Sequence, residues 1–394
     1  MENRAETLLA RPGLAGFFLS GILLALPGAI LPAWGYHVRE DHLTVGNFFL
    51  SMNAGLLLSA VVARKLLRGT ETALLLAVAS GVSSASLFVL ALLPPGVWDG
   101  WRMAGILGVG LGAGLLHRGV FQAISPLYER DGTATVYLAG ILFGAGCVTV
   151  SLLVAGTFYV YTVSSILVWT ALIPAFFSGF YLRVRAAGAR CRGSWREAGW
   201  RETLAGLKSP VAVLLALLLF FQFGNEWSLA GWLPLLLTKR VGVSPASSLL
   251  MLTLYWLALL VGRVGMLAIL SRMGHGKLLM GSVLAALFGC VVLAATNNRF
   301  GAVTGILLVG AGFASVYPLA VERIRGRFPS YHPGLYNGIF SFAVTGGLLA
   351  PWSLGIFVEQ WGAGAVIAVP LLGTMMVAVL LLVLWAEAKL AAYD

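Results

Sequence analysis

The chain reads as an all-α integral membrane protein of twelve transmembrane helices arranged as two six-helix halves. Three observations predict this. Hydrophobic residues make up 59% of the 394 positions, charged residues only 10%, and mean hydropathy is +0.91. A soluble domain carries about 25% charged residues. The apolar residues form continuous stretches rather than alternating ones, which selects helices over a barrel. Twelve such stretches are each long enough to cross a hydrocarbon core of roughly 30 Å. They fall at 13–36, 45–66, 71–93, 101–126, 133–157, 160–183, 210–238, 245–270, 277–296, 300–324, 334–358 and 364–388.

Charge sets the expected orientation. With the N-terminus inside, nineteen Lys and Arg residues fall in cytoplasmic segments, five in outer loops, and two, Arg118 and Arg263, within spans. Positive charge accumulates on the cytoplasmic side of short loops. Both termini are therefore expected in the cytoplasm and the chain in the inner (plasma) membrane. The net charge of +11 is topological and does not point to nucleic acid. Cys147, Cys191 and Cys290 have no metal-ligand spacing and form no disulfide framework. Residues 1–12 are short and polar, and the first apolar run lacks a small-residue cleavage site, so no removable signal is expected.

The domain reading is 1–183 for the first half, 184–209 for a cytoplasmic linker, and 210–394 for the second half. In the linker, Ser194 and Glu197 have capping-box spacing. Trp200, Leu204 and Leu207 follow on one helical face, the pattern of a short helix lying on the membrane surface. The halves show a repeat. Residues 105–112 read GILGVGLG and 305–312 read GILLVGAG, six identities in eight positions at an offset of 200. Such parallel repeats relate two six-helix halves about an axis along the membrane normal.

The stretch Gln222 to Pro234 places a carboxylate, Glu226, beside Gln222, Asn225, Trp227 and Trp232 inside span seven. A carboxylate costs about 2.5–3.5 kcal/mol at the centre of a membrane helix. One found there ordinarily faces a cavity, a partner charge or a proton path. Glu226 is thus the leading pathway candidate. Arg118 in span four, with His117 before it and Gln122 one turn beyond, is a second candidate, weighed against an arginine that reaches for the headgroups. Arg263 in span eight, with Arg272 beyond it, reads as a structural or gating charge, Glu322 being its expected partner and Arg64 a further member of this class. Asn53, Tyr255, Trp256, Tyr336 and Asn337 are able to hydrogen-bond a polar ligand, although interhelical polar contacts are ordinary in membranes. Pro27, Pro32, Pro234 and Pro351 interrupt their spans. The glycines at 108, 110, 112 and 114 lie within a span and follow no strand, so they read as helix packing rather than a dinucleotide loop. No nucleophile constellation, phosphate loop or paired catalytic carboxylates occur, and neither an enzyme nor a transport ATPase is indicated.

The architecture resembles the major facilitator superfamily. Within it, the stretch Asn225 to Arg263 is similar to the fucose/glucose-type sugar:proton symporter branch through Glu226, Gly231, Trp232, Pro234, Trp256, Gly262 and Arg263. The segment Gly346 to Gly355, GGLLAPWSLG, matches that branch's span eleven. The resemblance implies a monomeric secondary transporter without cofactor or metal. It would move a sugar or related small polar solute together with protons by alternating access. Glu226 would accept a proton or a substrate hydroxyl, with Asn225, Gln222 and Trp232 shaping the site. The chain departs from the pattern in three places. Span one has no acid. The acid and amide positions of span four hold Arg118 and Gln122. The basic turn at 63–69 lacks the usual Asp. An organic anion or amphipath selected by Arg118 is the alternative substrate class, and a non-transporting receptor or scaffold the alternative of another kind.

Overall fold

The computed structural model describes residues 2–36, 41–66, 70–94, 96–188, 210–270, 274–327 and 333–390. It is all-α. Among the described residues twelve helices are long and apolar enough to cross a membrane: Leu8–Ile30, His42–Ala63, Thr72–Leu92, Asp99–Ala123, Gly132–Thr157, Val163–Ala186, Val211–Val241, Pro245–Met266, His275–Ala295, Arg299–Ile324, Tyr336–Trp361 and Ala365–Glu387. These are spans one to twelve.

Proline explains where the helices depart from the sequence limits. Span one belongs to a helix that stops at Ile30, not at 36, and continues as turns through Gly35, whose φ is +78°. Pro32 lacks a donor and disfavours helical geometry in the residue before it. Span ten is interrupted at Ala314 and Ser315, four and three residues before Pro318. Its turn is held by the Ser315 hydroxyl donating to Ser282 of span nine at 2.5 Å. Span four ends at Ala123, and a short helix, Ser125–Arg130, begins with Pro126 in its first turn. Span seven passes Pro234 into a π turn, Leu237–Val241, closed by Gly242 at φ +70°.

Packing repeats between halves. Span one packs on five, two on four and three on six; correspondingly seven packs on eleven, eight on ten and nine on twelve. The halves meet through spans two and eleven, five and eight, and one and seven, as a two-fold relation requires. The repeat seen in sequence occupies equivalent places. A Cβ on Gly105 would strike Leu90 and one on Gly305 would strike Leu293. Gly110 lies against the Met52 carbonyl, Gly310 against that of Tyr255. Gly112 meets Ser83, and Gly312 meets Ala286. The partners are all 203 apart. Small residues here let helix backbones approach where lipid supplies no hydrophobic drive to associate.

The expected linker helix, Ser194 and Glu197 through Leu207, lies outside the described residues, as do Cys191 and Arg272. Arg64 lies in the helix His42–Leu66, and its side chain is outside the description.

Candidate functional site

The two ends of the bundle differ. At the end opposite the termini the halves are pressed together. A Cβ on Gly46 of span two would lie 2.7 Å from the Trp352 carbonyl oxygen, and one on Gly355 of span eleven 2.7 Å from that of His42. Gly28 of span one meets the Ala230 carbonyl, and Gly231 of span seven meets the Phe49 ring. The fully buried Trp232 donates its indole N–H to the Pro351 carbonyl at 2.9 Å and stacks on His42. His42 Nδ1 in turn lies 2.9 Å from Glu359 Oε2, joining span two to span eleven. Beside this seal, Tyr36 donates to Asp99 at 2.5 Å, and Arg102 lies 5.4 Å from the Trp34 ring centroid.

Toward the other end a cavity opens between the halves. Spans one, four and five supply Phe17, Phe121 and Phe143. Spans seven, eight, ten and eleven supply Phe223, Arg263, Tyr317, Tyr336 and Phe340, and Tyr128 of the short helix completes the wall. The cavity is narrow: about 30 Å³ admits the centre of a water molecule. That is room for a water or two, so this conformation is nearly closed around its centre. Tyr128 donates to the Tyr336 hydroxyl at 2.7 Å, bridging the halves below the cavity.

Arg263 lies on this wall and is 3% exposed. Its Nη1 donates to the Gly140 carbonyl of span five at 2.7 Å, across the interface between halves. Gly140 and Gly144 leave a slot there: a Cβ on either would sit 3.7–3.8 Å from Nη1. Nε has no hydrogen-bond partner. The expected pairing with Glu322 is not what the structure has. Glu322 lies 3.2 Å from His275 Nε2, at the end carrying the termini, and Arg263 turns inward instead. The sequence shows both charges but not which face of span eight is turned to span five.

Glu226 is buried, and its Oε1 accepts from Gln222 Nε2 at 2.8 Å. The Tyr255 hydroxyl donates to the Glu226 backbone carbonyl at 3.2 Å. Among the described residues no direct ion pair joins Glu226 to Arg263. Asn225, the next residue, turns away: its side chain occupies the space of a Cβ on Gly373 in span twelve. Trp227 packs between Phe143 and Trp256 and against Gly347. Trp256 is fully buried and its indole N–H lacks a partner. Asn53 and Asn337 are also buried, each with its Oδ1 unpaired.

In span four, His117 is 1% exposed, bonds to the Ser20 hydroxyl, and sets its ring edge-on to Phe340. Phe121, one turn on, lines the cavity. Arg118 and Gln122 sit one residue further round, half-exposed and off the cavity wall. Sequence alone points to the polar pair Arg118 and Gln122 on one face of span four, whereas the structure turns the neighbouring face inward. The aromatic wall was missed because phenylalanine in a membrane helix carries no signal that separates lining from packing.

No protein-family model matches the chain. A stretch of 107 residues is 27% identical to an uncharacterised MFS-type transporter of Yersinia pestis, covering 27% of this chain and 28% of that protein. The match thus spans about a quarter of either length. With the twelve helices and the paired packing of their halves, it agrees with a major facilitator type of architecture.

Proposed function

We propose that the chain is a secondary transporter that moves a small solute by alternating access, with both termini in the cytoplasm of a cell inner membrane. One observation carries this reading: two pseudo-equivalent halves enclose a central cavity, sealed tightly at one end and held by a tyrosine pair at the other. Rocking of the halves would break the glycine and Trp232 contacts and deepen the Tyr128–Tyr336 contact, exposing the cavity to the other side. With the termini in the cytoplasm, as the positive-inside pattern suggests, the sealed end would face outside. Glu226 is the group that would carry a proton, being a buried carboxylate hydrogen-bonded to Gln222.

The sugar implied by the branch resemblance remains a candidate solute. The wall supports a different one more directly. Its polar groups are Arg263 and three tyrosine hydroxyls, while Asn53, Asn225 and Asn337, which would serve sugar hydroxyls, are not on it.

The test is flux in proteoliposomes holding the full chain, under an imposed pH gradient, against protein-free vesicles. Transport predicts accumulation of a solute that binds the purified protein. Binding without flux would instead establish a receptor and end this reading.

A further inference from the structure

We propose that the central site takes a small monocarboxylate with an apolar or aromatic body, gripped by Arg263, and that each anion moves with one proton carried by Glu226. This rests on the transporter reading above and adds its substrate class and coupling.

The substrate class follows from the wall. Arg263 is the charged residue on the cavity lining, among the described residues. It is buried, anchored through Nη1 to Gly140, and its Nε is unpaired. A buried donor without an acceptor costs about 1–3 kcal/mol. A carboxylate oxygen seated there recovers that cost through a charge-assisted hydrogen bond. Around Arg263 the wall is aromatic: Phe17, Phe121, Phe143, Phe223 and Phe340. These faces suit a ring or short apolar chain and offer no hydrogen bonds to a polyol. Tyr317 brings a hydroxyl to the same space.

The coupling follows from charge balance. Arg263 and Glu226 are a buried cation and a buried carboxylate on spans eight and seven, and opposite charges in a low-dielectric core offset one another. An entering carboxylate leaves one negative charge too many, and uncompensated buried charge is costly. Binding a proton to the Glu226 carboxylate restores neutrality. Glu226 accepts from Gln222 on its own helix, and its backbone carbonyl accepts from Tyr255 of span eight, the helix that carries the buried cation Arg263. The step is a proton transfer only, and the proton comes from the more acidic compartment and leaves on the other side.

The experiment uses the full chain in detergent and in proteoliposomes, with benzoate, phenylpyruvate and pyruvate beside glucose and fucose as fixed probes. We expect the aromatic acids to raise the melting temperature and to accumulate with an inward proton gradient above protein-free vesicles. Neither sugar should do so. Arg263→Gln should remove the shift, and Arg263→Lys should weaken it tenfold or more in apparent affinity. Glu226→Gln should still exchange labelled acid across the membrane but lose accumulation driven by the gradient. Melting of each variant without ligand reports whether it is folded. If a sugar accumulates and no acid binds, the transporter reading stands and the carboxylate falls. If an acid binds Arg263→Gln as tightly as the natural chain, the site is not where we place it. If Glu226→Gln accumulates acid normally, the coupling is overturned. A panel silent in both binding and flux removes the carboxylate proposal and leaves the transporter reading to its own flux test.

Discussion

The two halves share one scaffold and differ in chemistry. Gly146 approaches the Phe18 carbonyl where span five crosses span one, and Gly346 approaches that of Phe220 where span eleven crosses span seven. With the offset of 202 between spans one and seven the partner of Glu226 is Leu24, and with the offset of 203 between spans two and eight the partner of Arg263 is Ala60. Gln222 corresponds to Ser20, and Trp256 to Asn53. Close-packing positions therefore repeat and charged positions do not. The first half supplies a wall of Phe17, Phe121 and Phe143. The second half supplies Glu226 and Arg263, while the buried Arg102 of the first half lies beside the seal. A two-fold scaffold makes the same helix approaches on each side. A binding site needs charge at one place, and duplicating Arg263 and Glu226 would bury two more ions at several kcal/mol each.

The largest effect should come from the shared scaffold. Gly146→Leu or Gly346→Leu would drive a side chain into the backbone of the facing helix. Overpacking costs about 1–3 kcal/mol and sometimes more, and here backbone must move. Both variants should lose folded yield and melt well below the natural chain. If one half tolerates the change, the halves are not equivalent scaffolds.

Next comes the seal, which belongs to the interface rather than to either half. Trp232→Phe removes the bond to Pro351 and leaves a void where the larger indole stacked on His42, together a cost of about 1–3 kcal/mol. We expect a modest drop in melting temperature and greater labelling of a cysteine placed on the cavity wall by a reagent added from the sealed side. Unchanged labelling would remove Trp232 from the closing contacts.

A smaller effect should follow from Leu24→Gln, which offers the first half a polar group at the counterpart of Glu226. Leu24 is 1% exposed, and a buried amide without partners costs about 1–3 kcal/mol in proteins. The asymmetry predicts lower stability and no new proton-driven flux in a Glu226→Gln background. Restored coupling would show that the two sites are interchangeable.

The smallest change should come from Glu359→Gln. The His42–Glu359 pair is partly exposed, with side-chain exposures of 18% and 52%. Exposed pairs contribute about 0–1 kcal/mol. Melting should barely move, while the same cysteine labelling should rise slightly. A large stability loss would make this pair a principal lock.

Twelve spans, their order and the repeat were legible in the sequence. Chain-local physics decides them: in lipid each helix satisfies its own backbone hydrogen bonds, so apolar length alone marks a span. Glu226 was legible for the same reason, since a carboxylate in such a run stands out. The rotation of each helix was not. Arg118 and Phe121 are equally visible in span four, yet which of them faces the cavity depends on the small residues that set how spans one, two and four approach. Arg263 looked like a partner for Glu322 because both are charges near one end of their helices. Its inward course depends on the slot made by Gly140 and Gly144 in span five, more than a hundred residues earlier. Composition and hydropathy thus determine that this chain spans a membrane twelve times and carries a carboxylate in span seven and arginines in spans four and eight. Only the tertiary packing decides that Arg263 faces an aromatic cavity, that Asn225 faces away from it, and that one end of the bundle is shut. Helix rotation is settled by the fit of surfaces between spans, which no single span encodes.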